Sequence, residues 1–146
     1  MDRQAIESVI VRLFVSTDRR DWPAVESCFA PLVDFDMTSL AGGEPAKRKP
    51  SEIAAGWREG LASLEAIHHQ AGNFEIDVAG DAATARCYAI ASHYRRVASG
   101  RNVRTFVGSY DFRLARRVDG WKIDLFRFNV KYVDGNLELE KEEPRK

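Results

Sequence analysis

The sequence has few cysteines, no net charge and no long apolar run. Its 146 residues include only two cysteines, Cys28 and Cys87, which are far apart and fit no metal-binding spacing. The 22 basic residues balance the 22 acidic residues, so no global field favours nucleic acid or an anionic membrane as a partner. No apolar run approaches the roughly 20 residues that cross a bilayer. These features are typical of a soluble globular protein with two buried, reduced thiols.

The N-terminus also lacks the apolar core of a signal peptide, because its first ten residues, MDRQAIESVI, include Asp2, Arg3 and Glu7. We therefore expect a cytoplasmic protein. A chain of this length is expected to form one domain, over residues 1–135. The charged tail that follows, residues 136–146, is expected to fray.

Three helices are predicted in the first half of the chain. Apolar residues recur at every third or fourth position over residues 5–14, which indicates an amphipathic helix. Asp21 is expected to cap a second, short helix with Pro23 in its first turn. A strand over residues 31–39 and a connecting loop over residues 40–50, flexible enough to act as a lid, come next. Ser51 is expected to cap the third helix, whose buried stripe is Ile53, Ala54, Trp57, Leu61 and Leu64.

Beyond the third helix, the pattern predicts four long strands. Tight turns at Gly80-Asp81, 99–102 and Asp119-Gly120 separate runs of strand-forming residues, so consecutive hairpins form an antiparallel meander. Helices followed by such a sheet give the α+β class. Long twisted strands packed on helices curl into a half-open cone, whose interior can hold a ligand.

One predicted strand carries an unusual row of small residues that ends in a histidine. Side chains on a strand alternate between faces, and one face of the run TARCYAIASHYRRV carries Ala85, Cys87, Ala89, Ala91 and His93. Small side chains on that face either meet a closely packed helix or leave room for a ligand.

The adjacent histidines His68 and His69 point to opposite faces of their strand by the same rule. His69 has the same parity as Asn73, so both are predicted on one face, and His93 is the expected neighbour of His69 on the next strand. His68 is predicted on the outer face.

Other chemistries find little support in the sequence. His68, His69, His93, Asp34 and Asp36 are metal-ligand types, but no HxH, HExxH or CxxC spacing is present. No nucleophile elbow and no Gly-rich phosphate loop follows a strand. We therefore predict neither a metal site nor a cofactor.

Taken in order, the segments DRRDWPAVESCFAPLVDFDMTS, EIAAGWREGL, HHQAGN, GDAATARCYAIASHY and DGWKIDLFRF resemble the SnoaL-like branch of the nuclear transport factor 2-like (cystatin-like) superfamily. The resemblance extends over roughly Ala5 to Val133. It implies a conical α+β barrel with N-terminal helices packed on a curved antiparallel sheet, a deep internal pocket and homodimers that pack through the open sheet.

Within that superfamily the sequence is most similar to the scytalone dehydratases. The resemblance implies a dyad of Asp18 and His93, with His69 as a second histidine. It aligns the family's serine and asparagine with Ser109 and Asp111. It also aligns two carbonyl-polarising tyrosines with Thr17 and Met37, which cannot polarise a carbonyl.

These assignments predict a lyase or isomerase that acts on a hydrophobic small molecule. His93, supported by Asp18, is expected to abstract a proton next to a carbonyl, and His69 is expected to act as the acid. Further residues expected to contact the substrate are Met37, Trp57, Asn73, Ser109, Tyr110, Asp111 and Arg127.

Two alternatives stay open. The first is a non-catalytic ligand-binding domain, or a partner subunit like the small subunits of ring-hydroxylating dioxygenases, which share the fold. The second is an epoxide hydrolase with an Asp-Arg-Asp arrangement, for which Asp111, Arg127 and Asp124 supply the residue types. The expected partners are a small molecule and a second copy of the chain, without nucleic acid or a membrane.

Overall fold

A computed structural model describes residues 1–146 and contains four helices and six strands. The helices are α1 (Asp2–Asp18), α2 (Trp22–Ser27), α3 (Thr38–Ala41) and α4 (Pro50–Gly60). The strands are β1 (Phe29–Asp36), β2 (Ala46–Arg48), β3 (Ala66–Ala79), β4 (Ala82–Tyr94), β5 (Val103–Arg117) and β6 (Gly120–Gly135).

The six strands form one curved, unclosed sheet in the order β2-β1-β6-β5-β4-β3. β3 to β6 pair as consecutive antiparallel hairpins, which confirms the predicted meander. β1 returns beside β6 in the parallel direction, and β2 adds an antiparallel edge. The α+β class predicted from the sequence is therefore confirmed. No helix combines the length and the apolar character needed to cross a membrane.

α1 packs its apolar stripe against the inner face of the sheet. Ile6, Ile10 and Leu13 on this helix are fully buried, as the three- and four-residue spacing predicts. After α1 the chain turns through Arg20, and Asp21 accepts a hydrogen bond from the backbone N–H of Ala24 at 3.2 Å. The predicted N-cap of α2 is thus confirmed.

The start of α4 and the loop before it differ from the prediction. Lys49, and not Ser51, is the N-cap, and its backbone N–H donates to the Glu52 carboxylate at 2.9 Å. Within residues 40–50 the strand β2 pairs with β1, and α3 begins just ahead of this segment. α3 starts there because the Asp36 carboxylate accepts hydrogen bonds from the backbone and the hydroxyl of Thr38, at 3.0 and 2.6 Å.

Register shifts in β3 and β6 change which side chains face inward. In β3 the register shifts between Gly72 and Glu75, and Asn73 has a φ of 55°. In β6 it shifts beside Asp124 and again beside Lys131, so the inward positions are odd up to Ile123, even from Phe126 to Val130, and odd again at Val133. A bulge reverses strand parity without any strong mark in the sequence.

The C-terminal tail does not fray as predicted. Leu139 is fully buried in a small cluster with Leu64, Ile67 and Val97. Arg95 donates hydrogen bonds to the carbonyls of Leu139 and Glu142, each at 2.8 Å. The prediction was wrong because it weighed the charges of this segment and overlooked the apolar residue between them.

Cys28 and Cys87 are both buried free thiols, as predicted. Burial raises the pKa of both, and that of Cys87 reaches about 12, with the charge of Asp111 as a smaller cause. Neither thiol is therefore activated as a nucleophile.

Candidate functional site

A cavity of about 210 Å³ lies between the helices and the inner face of the sheet. Ten of its 15 lining residues are hydrophobic, and none is Lys, Arg, Asp or Glu. An interior without a charged wall favours an uncharged ligand, because a buried charge needs a partner. The lining residues are Leu13, Phe14, Thr17, Met37, Leu40, Gly56, Trp57, Gly60, Leu61, His69, Ala91, His93, Phe106, Tyr110 and Phe126.

The row of small residues on β4 serves both purposes that the sequence left open. Ala83, Ala85, Cys87 and Ala89 are buried in the main hydrophobic core. Ala91 and His93, at the other end of the row, line the cavity. The small side chains thus pack closely along most of the strand and leave room for a ligand only near the histidine.

Asp18 and His69 form a two-point contact at the cavity. The Asp18 carboxylate lies 2.6 Å from Nδ1 of His69 and also accepts the backbone N–H of His69 at 2.8 Å. Both side chains are mostly buried, with 16% and 11% of their surface exposed. This contact joins the last residue of α1 directly to β3.

The surroundings of His69 fix its ring. A carboxylate only accepts hydrogen bonds, so Nδ1 carries the proton and Nε2 of the neutral ring holds a lone pair. Phe14 stacks on the imidazole with ring centroids 5.3 Å apart. His69 therefore presents a fixed proton acceptor at the cavity.

His93 lies on the neighbouring strand in a different environment. Its Nδ1 is 3.1 Å from Nη2 of Arg104, and its ring is 5.0 Å from that of Phe106. Burial is the largest cause that lowers the pKa of His93 to about 4, and the positive charge of Arg104 is the second. His93 is therefore neutral at physiological pH.

The hydrogen bond from Arg104 also sets the tautomer of His93. A guanidinium can only donate, so Nδ1 of His93 accepts and Nε2 carries the proton. The two neutral rings would thus differ at Nε2, since Nε2 of His69 would be an acceptor and Nε2–H of His93 a donor.

The predicted pairing of Asp18 with His93 is corrected by this geometry. Asp18 is bonded to His69, whose position in β3 lies opposite Ala91, two residues before His93 in β4. α1 packs against β3, so the carboxylate at its end reaches the nearer histidine. His69 and His93 are diagonal neighbours on the inner face, and His68 is exposed, as the alternation predicted.

Four other residues considered in the sequence line the same cavity. Thr17 contributes a wall, but its hydroxyl is used by a 2.8 Å hydrogen bond to the Leu13 carbonyl. Met37, at the start of α3, and Trp57, in α4, form apolar walls of the cavity. Tyr110 brings a phenol, and burial raises its pKa, so the group is a neutral donor.

Four predicted contact residues lie outside the cavity lining. Asn73 is exposed, because the bulge at Gly72 and Asn73 turns it away from the face of His69. Ser109 and Asp111 have the opposite parity to Tyr110, and the side-chain amide of Asn129 donates to both. Arg127 is exposed and pairs with Asp36 at 3.3 Å.

The same placement separates the three residues of the epoxide hydrolase arrangement from the cavity. Asp111 is bonded to Asn129, and Asp124 forms a 2.7 Å ion pair with Arg113. Arg127 faces Asp36 on β1. None of the three lines the cavity, so this geometry gives the epoxide hydrolase alternative no support.

Arg104 is the residue of this region that the sequence reasoning missed. Strand parity carried a signal for it, because Arg104, Phe106 and Tyr110 have the same parity, which places a charge on an inner face.

No group of three or more His, Cys, Asp or Glu side chains is arranged to hold a metal ion.

The architecture is the one that solved neighbours share under the names NTF2-like and cystatin-like. The family model of the SnoaL-like domain matches residues 1–127. The chain therefore belongs to the SnoaL-like domain family, as the sequence motifs predicted. No curated protein matches the chain.

Solved structures agree with this fold over nearly the whole length. The Kfla4162 protein from Kribbella flavida has a TM-score of 0.90 at 22% identity, and the match covers 96% of this chain and 97% of that one. A proposed scytalone dehydratase from Novosphingobium aromaticivorans has a TM-score of 0.78 at 16% identity, covering 92% and 87%. A hexachlorocyclohexane dehydrochlorinase from Novosphingobium barchaimii has a TM-score of 0.74 at 14% identity, covering 92% and 90%. At these identities the likeness establishes the fold.

Proposed function

We propose that this protein is a lyase that removes a proton and a leaving group from neighbouring carbons of a small, uncharged, hydrophobic molecule. One observation carries the proposal. Two histidines with different hydrogen-bond partners line one apolar cavity: a carboxylate holds His69 and a guanidinium holds His93. The combination of a fixed base and a fixed donor is what a proton-transfer reaction needs.

His69 is the base in this proposal. Its Nε2 takes the proton from the substrate carbon, and the electron pair of the broken C–H bond forms the new C=C bond. The Asp18 carboxylate stabilises the positive charge that develops on the imidazole and keeps the ring in place, so Asp18 is a positioning residue. The roles of the two histidines are thereby exchanged relative to the sequence prediction.

His93 is the donor. Its Nε2–H is a fixed hydrogen-bond donor for a carbonyl oxygen that gains negative charge, or for the leaving group as it departs with its bonding electrons. The phenol of Tyr110 is a second neutral donor at the same cavity. For a leaving hydroxyl, the proton taken by His69 completes the water molecule that is lost, so atoms and charge balance.

The cavity and the fold relatives both support an elimination. The volume of about 210 Å³ is below the roughly 300–1,000 Å³ of sites for drug-sized ligands, so the substrate is small. A dehydratase and a dehydrochlorinase both eliminate HX from neighbouring carbons, with X as hydroxyl or chloride, and both names occur among the fold neighbours. An isomerisation needs the same first proton transfer and differs only in the second step.

The test uses small cyclic ketones that carry a hydroxyl or chloride β to the carbonyl, with alkene formation followed by absorbance and deuterium uptake from D2O followed by mass spectrometry. We expect His69→Gln to lower kcat/KM by about 10²–10⁴-fold, because general base catalysis contributes that much. Asp18→Asn should lower it as well, because an amide in place of the carboxylate no longer fixes the tautomer of His69.

His68→Gln is the matched control, since His68 is the adjacent residue on the outer face. It should keep the wild-type rate. A His69→Gln variant as active as the wild type would contradict the proposal. Ketones that bind to the wild type, with neither elimination nor deuterium uptake, would favour the non-catalytic ligand-binding alternative.

A further inference from the structure

A chain of contacts leads from His93, away from the cavity, to the C-terminal tail. Arg104 faces His93 across the β4–β5 pair and has only 13% of its side-chain surface exposed. Its guanidinium also lies over the ring of Phe106, at 5.1 Å from the ring centroid. Nε of Arg104 is buried without a hydrogen-bond partner, so the orientation of the side chain depends on its two terminal nitrogens.

Glu140 holds both of those nitrogens. Nη1 of Arg104 donates to Oε2 of Glu140 at 2.7 Å, and Nη2 donates to Oε1. The same Nη2 is the atom that donates to His93. A paired, bidentate geometry is the arrangement that makes a largely buried guanidinium tolerable, because an unpaired one would be strongly destabilising.

The position of Glu140 is itself fixed by the tail. Leu139, the preceding residue, is fully buried, and Arg95 binds the carbonyls on both sides of Glu140. Asn136 is 98% buried at the start of the tail and donates to the Arg101 carbonyl at 2.8 Å. The tail therefore carries one carboxylate to a defined point behind the second histidine of the site.

We propose that Arg104 and Glu140 are positioning residues that hold His93 as a neutral Nε2–H donor, so that the C-terminal tail completes the candidate site. The inference deepens the proposed function and rests on it, because the donor role of His93 is part of that function. Arg104 contacts His93, Glu140 contacts Arg104, and neither Arg104 nor Glu140 lines the cavity. Their contribution therefore reaches a substrate only through His93.

The proposal predicts opposite effects of the two charges on His93. The charged and titratable groups that act on His93 are Arg104, Glu140, His69 and Asp18. Loss of the positive charge of Arg104 should make protonation of His93 easier. Loss of the negative charge of Glu140 should not make it easier, because that carboxylate favours the protonated ring.

The test is an NMR titration of protein labelled with ¹⁵N in its three histidines, which needs no substrate. In the wild type we expect His93 to show an unprotonated Nδ1 and a protonated Nε2, with its midpoint near pH 4. In Arg104→Met the midpoint should rise by about one pH unit or more. The ¹⁵N chemical shift of Nδ1 should no longer be that of a nitrogen that accepts a hydrogen bond. In Glu140→Gln the midpoint should stay at or below that of the wild type.

Arg96→Met is the matched control, because Arg96 forms an exposed ion pair with Glu65 beside the same tail and does not touch His93. It should leave the His93 resonances unchanged. Should Arg104→Met fail to fold, Arg104→Lys keeps the charge and one donor and should retain the low midpoint. The proposal would be overturned if His93 of the wild type had a protonated Nδ1 or a midpoint at the ordinary value. It would also be overturned if the wild type and Arg104→Met had equal midpoints. A protein that eliminates nothing but gives these midpoints would refute the proposed function alone.

Discussion

At the level of single residues, hydrogen-bond partners distinguish the two histidines that face the cavity. Asp18 can only accept and Arg104 can only donate, so His69 and His93 carry their protons on different nitrogens. The sequence indicated which histidines face inward, because strict alternation holds from Ala83 to His93. It did not assign their partners correctly, since Asp18 lies 51 residues before His69 and Arg104 was overlooked on the strand next to His93.

The buried, neutral state of His93 has a consequence for stability. Its folded pKa of about 4 lies below the ordinary value of 6.5, so between these values the unfolded chain binds a proton that the folded chain does not. The free energy of unfolding should therefore fall as the pH drops through this interval, by up to about 3 kcal/mol, and this contribution should level off below pH 4. His93→Gln cannot titrate and should show a smaller fall, measured by urea unfolding at a series of pH values.

His68→Gln serves as the control for that experiment, because His68 is exposed and Arg104 hydrogen-bonds to His93 instead. It should keep the pH dependence of the wild type. Identical pH dependence in the wild type and His93→Gln would show that the buried ring is protonated as readily as in the unfolded chain.

At the scale of the elements, the parts of the fold with regular patterns were predictable, and the irregular parts were not. The amphipathic spacing of α1, the Asp21 cap and the Gly80-Asp81 turn were predicted correctly, because each depends on local chemistry. The other two connections lie at or beside the predicted turns, but one spans residues 95–102 and the other residues 118–119. The bulges at Asn73 and beside Asp124 were missed, because a single extra residue reverses parity and leaves the composition of the strand unchanged. For this reason the prediction placed Asn73 at the site although the structure places it outside.

The tail is the element whose contribution is simplest to measure. Leu139 is fully buried against Leu64, Ile67 and Val97, whereas Leu137, two residues earlier, is 59% exposed. Leu139→Ala should lower the free energy of unfolding by about 2–4 kcal/mol, the range for a buried leucine. Leu137→Ala is the matched control and should change it by less than about 0.5 kcal/mol in the same urea titration. Equal effects of the two substitutions would mean that the tail is not docked in solution.

At the scale of the whole molecule, one face of the sheet has no covering element. The helices pack on the inner face, and on the outer face Ile90, Val107 and Tyr132 stand opposite one another across β4, β5 and β6. Ile90 and Tyr132 are 52% and 58% exposed, and Tyr88 beside them is 49% exposed. A contiguous exposed apolar row of this kind is typical of an interaction surface.

We expect a second copy of the chain to pack on this face. Arg86 and Lys131 lie on it together with Glu75 and Asp111, so it presents charges of both signs to a copy turned by a two-fold axis. We expect a homodimer with a mass twice the 16.5 kDa of one chain, measured by light scattering after gel filtration.

Ile90→Glu should shift that dimer to the monomer, because it buries a carboxylate in the apolar row. Val118→Glu is the control, since Val118 is fully exposed in the turn between β5 and β6, at the edge of the molecule. It should remain dimeric. Because the cavity lies on the opposite side of the sheet from this row, the monomeric variant should keep its ligand site. The His93 titration should therefore be the same in Ile90→Glu as in the wild type. A wild-type chain that is monomeric at tens of micromolar would contradict the dimer, and a changed His93 titration in a folded Ile90→Glu would show that the two faces of the sheet are coupled.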